Sequence, residues 1–275
     1  MRIIRVFPRK TRATPDDVLA YFGPPDLFAE ADEVHVSVTF TWDKAIAERL
    51  AEDWRYVAPV KIGGVAYGDS SLEFIPGRYV KPGYTITSRG CPEKCWFCGV
   101  WKKWPTANVL PIHDGWNILD DNLLACPREH VEAVFAMLRR QKRRCEFSGG
   151  IQPARLEDWH VDLFSSLTPR PNVFFAYDPG DTFESLASAA QRMIAAGFTA
   201  ASHRLRSYVL IGYPKDTIDG ANERLASLVR IGITPFAMRW RPENPAGDRR
   251  APGPEWREFQ RSWARPAMIH AKAAA

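Results

Sequence analysis

From residue 84 to residue 240 the sequence alternates strand-like and helix-like segments at a near-constant interval, and this repeat limits the possible folds more than any other feature. The strand-like segments are YTIT (84–87), WNIL (116–119), CEFS (145–148), VFFAY (173–177), YVLIG (208–212) and PFAMRW (235–240). Most are short and rich in β-branched and aromatic residues. Their spacing of roughly 30 residues is the length of one βα unit. Apolar strands each followed by an amphipathic helix imply a parallel sheet covered by helices. Six such units with right-handed crossovers predict a partial (β/α)6 barrel, three quarters of the eightfold type. A flat, doubly wound sheet is the alternative.

The helices carry their own start and stop signals. Pro127 suits a first helical turn, and Val131, Val134, Phe135 and Leu138 follow on one stripe. Thr182 is placed to N-cap FESLASAAQRMIAAG (183–197), with Gly197 at the left-handed C-terminal position. NERLASLVRIG (222–232) ends likewise at Gly232.

The first 80 residues read as a smaller α/β unit, a degenerate Rossmann-like one. RIIRVF (2–7), EVHVSVTF (33–40) and PVKIGG (59–64) are its strands. In DKAIAERLAEDW (43–54), Ile46, Leu50 and Trp54 fall at fourfold spacing and should line one helix face. The Gly- and Pro-rich stretch 68–83 reads as a linker. The expected organisation is therefore a small unit over 1–80, the (β/α)6 core over 81–242, and a partly flexible C-terminal extension over 243–275. That extension should hold one helix around Glu255 to Ala264.

Composition sets the class. With 45% hydrophobic and 25% charged residues the chain can bury a substantial core. It has no apolar run of the ~18 residues that would span a bilayer. Its N-terminus lacks the apolar stretch of a secretory leader. A cytoplasmic protein without a membrane partner is expected. The net charge of +5 admits an anionic partner, nucleic acid included, without requiring one. The densest run, RRQKRR (139–144), lies at a helix end, where cations complement the macrodipole.

The chain has five cysteines, and three of them, Cys91, Cys95 and Cys98, follow the pattern Cys-x3-Cys-x2-Cys directly after the first strand of the series. A secreted disulfide framework would distribute an even number along a shorter chain. Thiolates holding metal fit better. A [4Fe–4S] cube takes four ligands, so a loop supplying three leaves one iron open. Structural zinc would need a fourth ligand. Cys126, Cys145, His113 and His130 are available for that, but none has zinc-ribbon spacing.

The cysteine triplet after the opening strand of a six-unit series resembles the radical S-adenosylmethionine (SAM) superfamily. The resemblance implies a [4Fe–4S] cluster on Cys91, Cys95 and Cys98 whose open iron chelates SAM. Reductive cleavage then gives a 5′-deoxyadenosyl radical that modifies a substrate. It further implies that Phe97 sits near the adenine, with Trp96 extending the apolar wall. The methionine ammonium would fall to Asp121 or Asn122, in NILDDNLLA, where many members carry Gly-Gly-Glu. Here SGG (148–150) instead ends the third strand. Arg155 is the implied partner of the SAM carboxylate, Tyr177 and Asp178 of the ribose, and Ile211 and Gly212 of the adenine. The electron would come from a donor such as flavodoxin or ferredoxin. The substrate class is a small molecule or nucleotide and is not specified further.

VHVSVTF, a helix and VKIGG resemble the later part of the cobalamin-binding domain found in a subgroup of the family. The unit lacks an Asp-x-His-x-x-Gly signature, and its one histidine, His35, lies mid-strand, where a structural role is expected. Bound cobalamin is therefore not expected. Two alternatives stand beside the main reading. One is a methyl- or methylthio-transferase of the cobalamin-related group. The other is a metal-stabilised nucleic-acid-binding module.

Overall fold

The structure is a computed structural model that describes residues 1–68, 72–242, 251–264 and 269. The chain divides into two compact units, Met1–Tyr84 with Pro242, and Thr85–Arg241 with the described residues beyond 250.

The first unit is built on four parallel strands: β1 (Ile3–Val6), β2 (Ala20–Tyr21), β3 (Glu33–Ser37) and β4 (Val60–Gly63). They are ordered β2-β1-β3-β4. Helix α1 (Lys44–Trp54) connects the last two. Its buried face is Ala47, Leu50, Ala51 and Trp54, packed on Ile4, Val6, Val34 and Val36. Ile46 differs from the expectation. At 37% exposure it turns to solvent, because the stripe that meets the sheet runs through Ala47 and Ala51 instead. Trp54 also donates its indole N–H to the Gly23 carbonyl at 2.9 Å. His35 sits in mid-strand, stacked on Tyr79 and hydrogen-bonded to its hydroxyl, with the Glu33 carboxylate 3.4 Å from Nε2.

The second unit contains the repeat. Its strands are β5 (Tyr84–Thr85), β6 (Ser88–Arg89), β7 (Asn108–Val109), β8 (Asn117–Ile118), β9 (Glu146–Ile151), β10 (Asn172–Tyr177), β11 (Leu205–Ile211) and β12 (Thr234–Arg239). The helices are α2 (Val100–Lys103), α3 (Arg128–Arg140), α4 (Asp158–Ser166), α5 (Phe183–Ala195), α6 (Ile218–Arg230) and α7 (Pro254–Ser262). Six strands form one sheet in the order β12-β11-β10-β9-β8-β5, and β6 pairs with β7 in a small antiparallel ribbon. From β8 to β12 every pairing is parallel. Each strand lies beside its predecessor in the series, so the winding never reverses. A doubly wound sheet requires such a reversal. The sheet is therefore singly wound, an α/β fold of the partial-barrel kind.

Burial is continuous over Val173–Phe175 in β10 but alternates along β11 and β12. In β11, Leu205, Ser207, Val209 and Ile211 are buried, while Arg206, Tyr208 and Leu210 are only half-buried. The buried face packs on the helices. Helix α3 contributes Val131, Val134, Phe135 and Leu138 as expected, together with Met137. Phe135, Phe147 and Phe164 form an edge-and-stack cluster with ring centroids 4.8–5.3 Å apart. Pro127 stands one place earlier than expected, as the N-cap of α3. The Thr182 hydroxyl accepts from the Ser185 N–H, and Gly197 and Gly232 adopt the expected positive φ. Helix α4 was not anticipated, because its segment EDWHVDLFSS lacks a long apolar stripe; a capping box between Glu157 and His160 starts it.

Helix α7 matches the expected C-terminal helix. It brings Trp256 and Phe259, followed by Trp263, into the same core as the sheet. The flexible end assigned to the extension lies outside the described residues. Among the described residues, no helix is long and apolar enough to cross a membrane.

Candidate functional site

The three cysteines lie on the loop between β6 and α2, and that loop is closed at its base by backbone. Cys91 N–H donates to the Trp104 carbonyl at 3.0 Å, and the β6–β7 ribbon joins the segments just outside. Gly90 makes the closure possible. It holds φ +104°, and a Cβ there would stand 2.1 Å from the Thr106 carbonyl oxygen. Within the loop, Cys98 N–H donates to the Cys95 carbonyl at 3.1 Å, and the Trp101 indole donates to the same oxygen at 2.9 Å. Cys91, Cys95 and Cys98 are all half-buried free thiols.

The sequence Asp120-Asp121-Asn122, just past β8, fastens this loop to the sheet residue by residue. Asp120 is fully buried. It accepts from Thr87 N–H at 2.6 Å, Thr87 Oγ1 at 2.5 Å and Ser88 Oγ at 2.8 Å. Asp121 accepts from Gly90 N–H at 2.8 Å and faces the Arg89 guanidinium at 3.6 Å. Asn122 Nδ2 lies 3.4 Å from Cys91 Sγ and 2.8 Å from Gln152 Oε1. None of the three caps the short turn that follows: Asn122 is its N-cap residue, but makes no side-chain capping bond. Their partners are the strand end and the cysteine loop.

Asn122 carries a further feature. The residue is only 3% exposed, yet its Oδ1 is buried without a hydrogen-bond partner among the described residues. An unsatisfied buried acceptor costs roughly 1–3 kcal/mol, so it marks a place where a donor from outside the chain would be welcome.

Two residues absent from the sequence expectations complete the network, Gln152 and Glu93. Gln152 Oε1 also accepts from Arg155 Nε at 2.8 Å, and Arg155 Nη2 reaches Glu93 Oε1 at 2.9 Å. Arg155 holds the Glu93 carboxyl below its ordinary range. Arg155 is thus brought to the cysteine loop, paired there with a carboxylate of that loop. The spacing Gln152-x2-Arg155, straight after a strand, was a legible signal for two side chains on one turn. Gly149 serves packing. A Cβ there would sit 2.2 Å from the Asp120 carbonyl, so the glycine lets β9 pass close to the residues that hold the loop.

The remaining expected residues divide into two groups. Asp178 follows β10, and its backbone N–H donates to Asp181 at 2.7 Å. Burial, and then the Asp181 charge, push its carboxyl up to about 7. Burial also pushes the Cys95 thiol up to about 11, with Asp178 the next contributor, so this acid belongs to the same site. Phe97 packs edge-on against Trp96 at 5.5 Å, and the half-exposed Trp96 meets Tyr213 at 6.2 Å and Trp240 at 6.1 Å. An aromatic wall therefore runs from the loop to the ends of β11 and β12.

Ile211 and Gly212 are placed differently. The Ile211 side chain is fully enclosed in the helix-side core and its carbonyl accepts from Trp240 N–H at 2.8 Å, so the residue offers no surface to a ligand. Gly212, at φ +70°, gives its N–H to Asp216 at 2.8 Å and leaves room for the Trp256 ring.

Burial raises the Cys95 and Cys98 thiols, which argues against either as an activated nucleophile, since that needs a cationic neighbourhood. Metal binding would instead displace the protons. Among the described residues, no three His, Cys, Asp or Glu side chains converge as the ligands of a single ion would. Three free thiols on one loop are the donor type that iron–sulfur clusters take, so the donor set fits a cluster. Cys126 and Cys145 take no part. Cys145 is buried with its thiol 3.4 Å from the Arg143 carbonyl, and Cys126 packs beside the Asn122 carbonyl. Cys126→Ala and Cys145→Ala should therefore retain full iron after reconstitution, each at a stability cost of about 1 kcal/mol. Iron assay and thermal unfolding check this.

No family model matches the chain, and no curated protein does. Among solved structures, the fold matches that of the radical S-adenosylmethionine methyltransferase TsrM from Kitasatospora setae, determined with cobalamin and a [4Fe–4S] cluster bound. The TM-score is 0.60 at 12% identity, over 89% of this chain and 76% of that one. At this identity the likeness is one of fold.

Proposed function

We propose that the chain is a radical SAM enzyme, with Cys91, Cys95 and Cys98 holding a [4Fe–4S] cluster and SAM completing it. The observation that carries this reading is Asn122. Its amide donates toward a cysteine of the loop, while its buried oxygen waits for a donor of the kind an ammonium supplies. When bound, cluster and SAM together supply a 5′-deoxyadenosyl radical once a single electron has been delivered.

The chain's own residues bind and orient. Asn122 Oδ1 accepts from the methionine ammonium, in keeping with a donor-hungry buried acceptor. Asp121 is already engaged by Gly90 and Arg89, which leaves Asn122 the better of the two candidates. Arg155 offers its guanidinium to the methionine carboxylate, sharing it with Glu93. Asp178 faces the ribose hydroxyls, accepting from one when ionised. Phe97 and Trp96 keep water off the adenine side. Flavodoxin or ferredoxin is the proposed electron donor, in a cytoplasmic, reducing setting that agrees with five unpaired cysteines. The substrate belongs to the small-molecule or nucleotide class.

A second reading, methyl transfer with cobalamin, is favoured by one observation: the matched structure contains cobalamin, and the match extends over most of this chain. The expectation that the small unit binds no corrinoid gains no support from that likeness.

One experiment addresses both readings. After anaerobic reconstitution with iron and sulfide, the protein should retain about four of each per chain. With SAM and a reductant it should release methionine and 5′-deoxyadenosine. S-Adenosylhomocysteine, with stoichiometric corrinoid retained from added cobalamin, would favour the second reading. Zinc without sulfide, together with salt-sensitive binding to nucleic acid, would overturn both in favour of a binding module.

A further inference from the structure

On the reading that Cys91 is a cluster ligand, we propose that Asn122, locked by Gln152, is a positioning residue that raises the cluster's reduction potential through an N–H···S hydrogen bond. The geometry fixes the direction of that bond. Gln152 Oε1 receives Arg155 Nε at 2.8 Å, which identifies it as the acceptor end of its amide. The Asn122 atom 2.8 Å from the same oxygen must then be the –NH2 group. That group is also the one 3.4 Å from Cys91 Sγ, so its second hydrogen is directed at the sulfur. Arg155 is tied in turn to Glu93 at 2.9 Å, within the cysteine loop, so the chain of bonds begins and ends on the loop it orients. Asn122 is 3% exposed, and little water competes for the sulfur from that side.

A donor dipole aimed at a ligating sulfur stabilises the electron-rich state more than the electron-poor one. Hydrogen bonds to sulfur are among the terms that set cluster potentials. In the step concerned, one electron enters from the titrating reductant; no bond breaks and no proton moves. Asn122 would thereby bring the cluster closer to the potential of its donor, in addition to its role toward SAM.

The test is a potentiometric titration of the reconstituted protein in the absence of SAM, followed by electron paramagnetic resonance of the reduced cluster. Leaving out SAM makes the readout blind to the ammonium role. Asn122→Leu keeps the volume and removes the donor. It should retain iron and sulfide and shift the reduction equilibrium roughly tenfold toward the oxidised form, about 59 mV lower for a one-electron couple. Gln152→Leu leaves the amide in place but unlocked and should move the midpoint part of the way in the same direction. An unchanged or raised midpoint in an iron-replete Asn122→Leu protein overturns the inference and leaves the proposed function standing. If Asn122→Leu loses its iron, Gln152→Leu decides, and an unchanged midpoint there overturns it. A wild-type protein that assembles no cluster overturns both.

Discussion

Alanine at Cys91, Cys95 or Cys98, taken singly, is expected to abolish cluster retention and SAM cleavage while leaving the fold intact. Each thiolate would hold one corner of the cube, and the loop has no fourth cysteine to replace one. Cys126 and Cys145 are directed into packing, and Asp178 and Asp181, whose charges act on Cys95, are carboxylates whose affinity for the proton is raised by burial. Iron–sulfur clusters prefer thiolate, so substitution by neighbouring oxygen should not rescue binding. The cost to stability should be small, because all three thiols are half-buried and the loop is held by other bonds. Those are the Cys91–Trp104 backbone bond and the Asp120-Asp121-Asn122 contacts. Iron and sulfide per chain, and 5′-deoxyadenosine released under reduction, are the readouts. Wild-type values for both in any one of the three variants would refute the assignment of that cysteine. Wild-type values in all three would refute the reading of the site.

The repeat was legible because strand and helix periods are local properties. Val131, Val134, Phe135 and Leu138, the Thr182 cap and the glycines at 197 and 232 each follow from a few neighbouring residues. The sequential strand order was legible for a related reason, since short right-handed connections place each strand beside the last. What sequence could not give was pairing between distant segments. Asp121 was expected at a cofactor, and Asp120 carried no expectation of its own. Their observed partners, Thr87, Ser88 and Gly90, lie some thirty positions earlier. Gln152 and Glu93 went unnoticed because each gains meaning only through Arg155 and Asn122. Ile211 shows the reverse case. The motif placed it at the right strand end, but alternation along β11 turned its side chain into the core.

The second large effect belongs to Asp120, the residue on which the cysteine loop is mounted. Asp120→Ala should cost roughly 2–4 kcal/mol, since it strands the Thr87 N–H donor in a dry interior and opens a small cavity. The hydroxyls have alternatives, Thr87 Oγ1 in His130 Nε2 at 3.2 Å and Ser88 in the Cys126 sulfur, so the backbone N–H is the group left without a partner. Burial is the leading cause that raises the Asp120 carboxyl to about 6, against the lowering effect of its hydrogen bonds from Thr87 and Ser88. A folded-state pKa above the unfolded value near 3.8 means that the folded protein binds the proton more tightly. The associated stability is complete below about pH 4 and is lost as pH rises through about 6, amounting to roughly 3 kcal/mol by neutrality. Asp120→Asn, which keeps an acceptor for Thr87 and removes the titration, should therefore flatten the profile between pH 4 and 7. Urea unfolding across that range, with hydrogen exchange at the Thr87 amide as the local readout, separates the two variants. Alanine should lose protection at Thr87, and asparagine should keep it. Retained protection in the alanine variant would show that the loop does not hang from this carboxylate, and a pH slope unchanged in the asparagine variant would show that the buried acid does not titrate as its surroundings require.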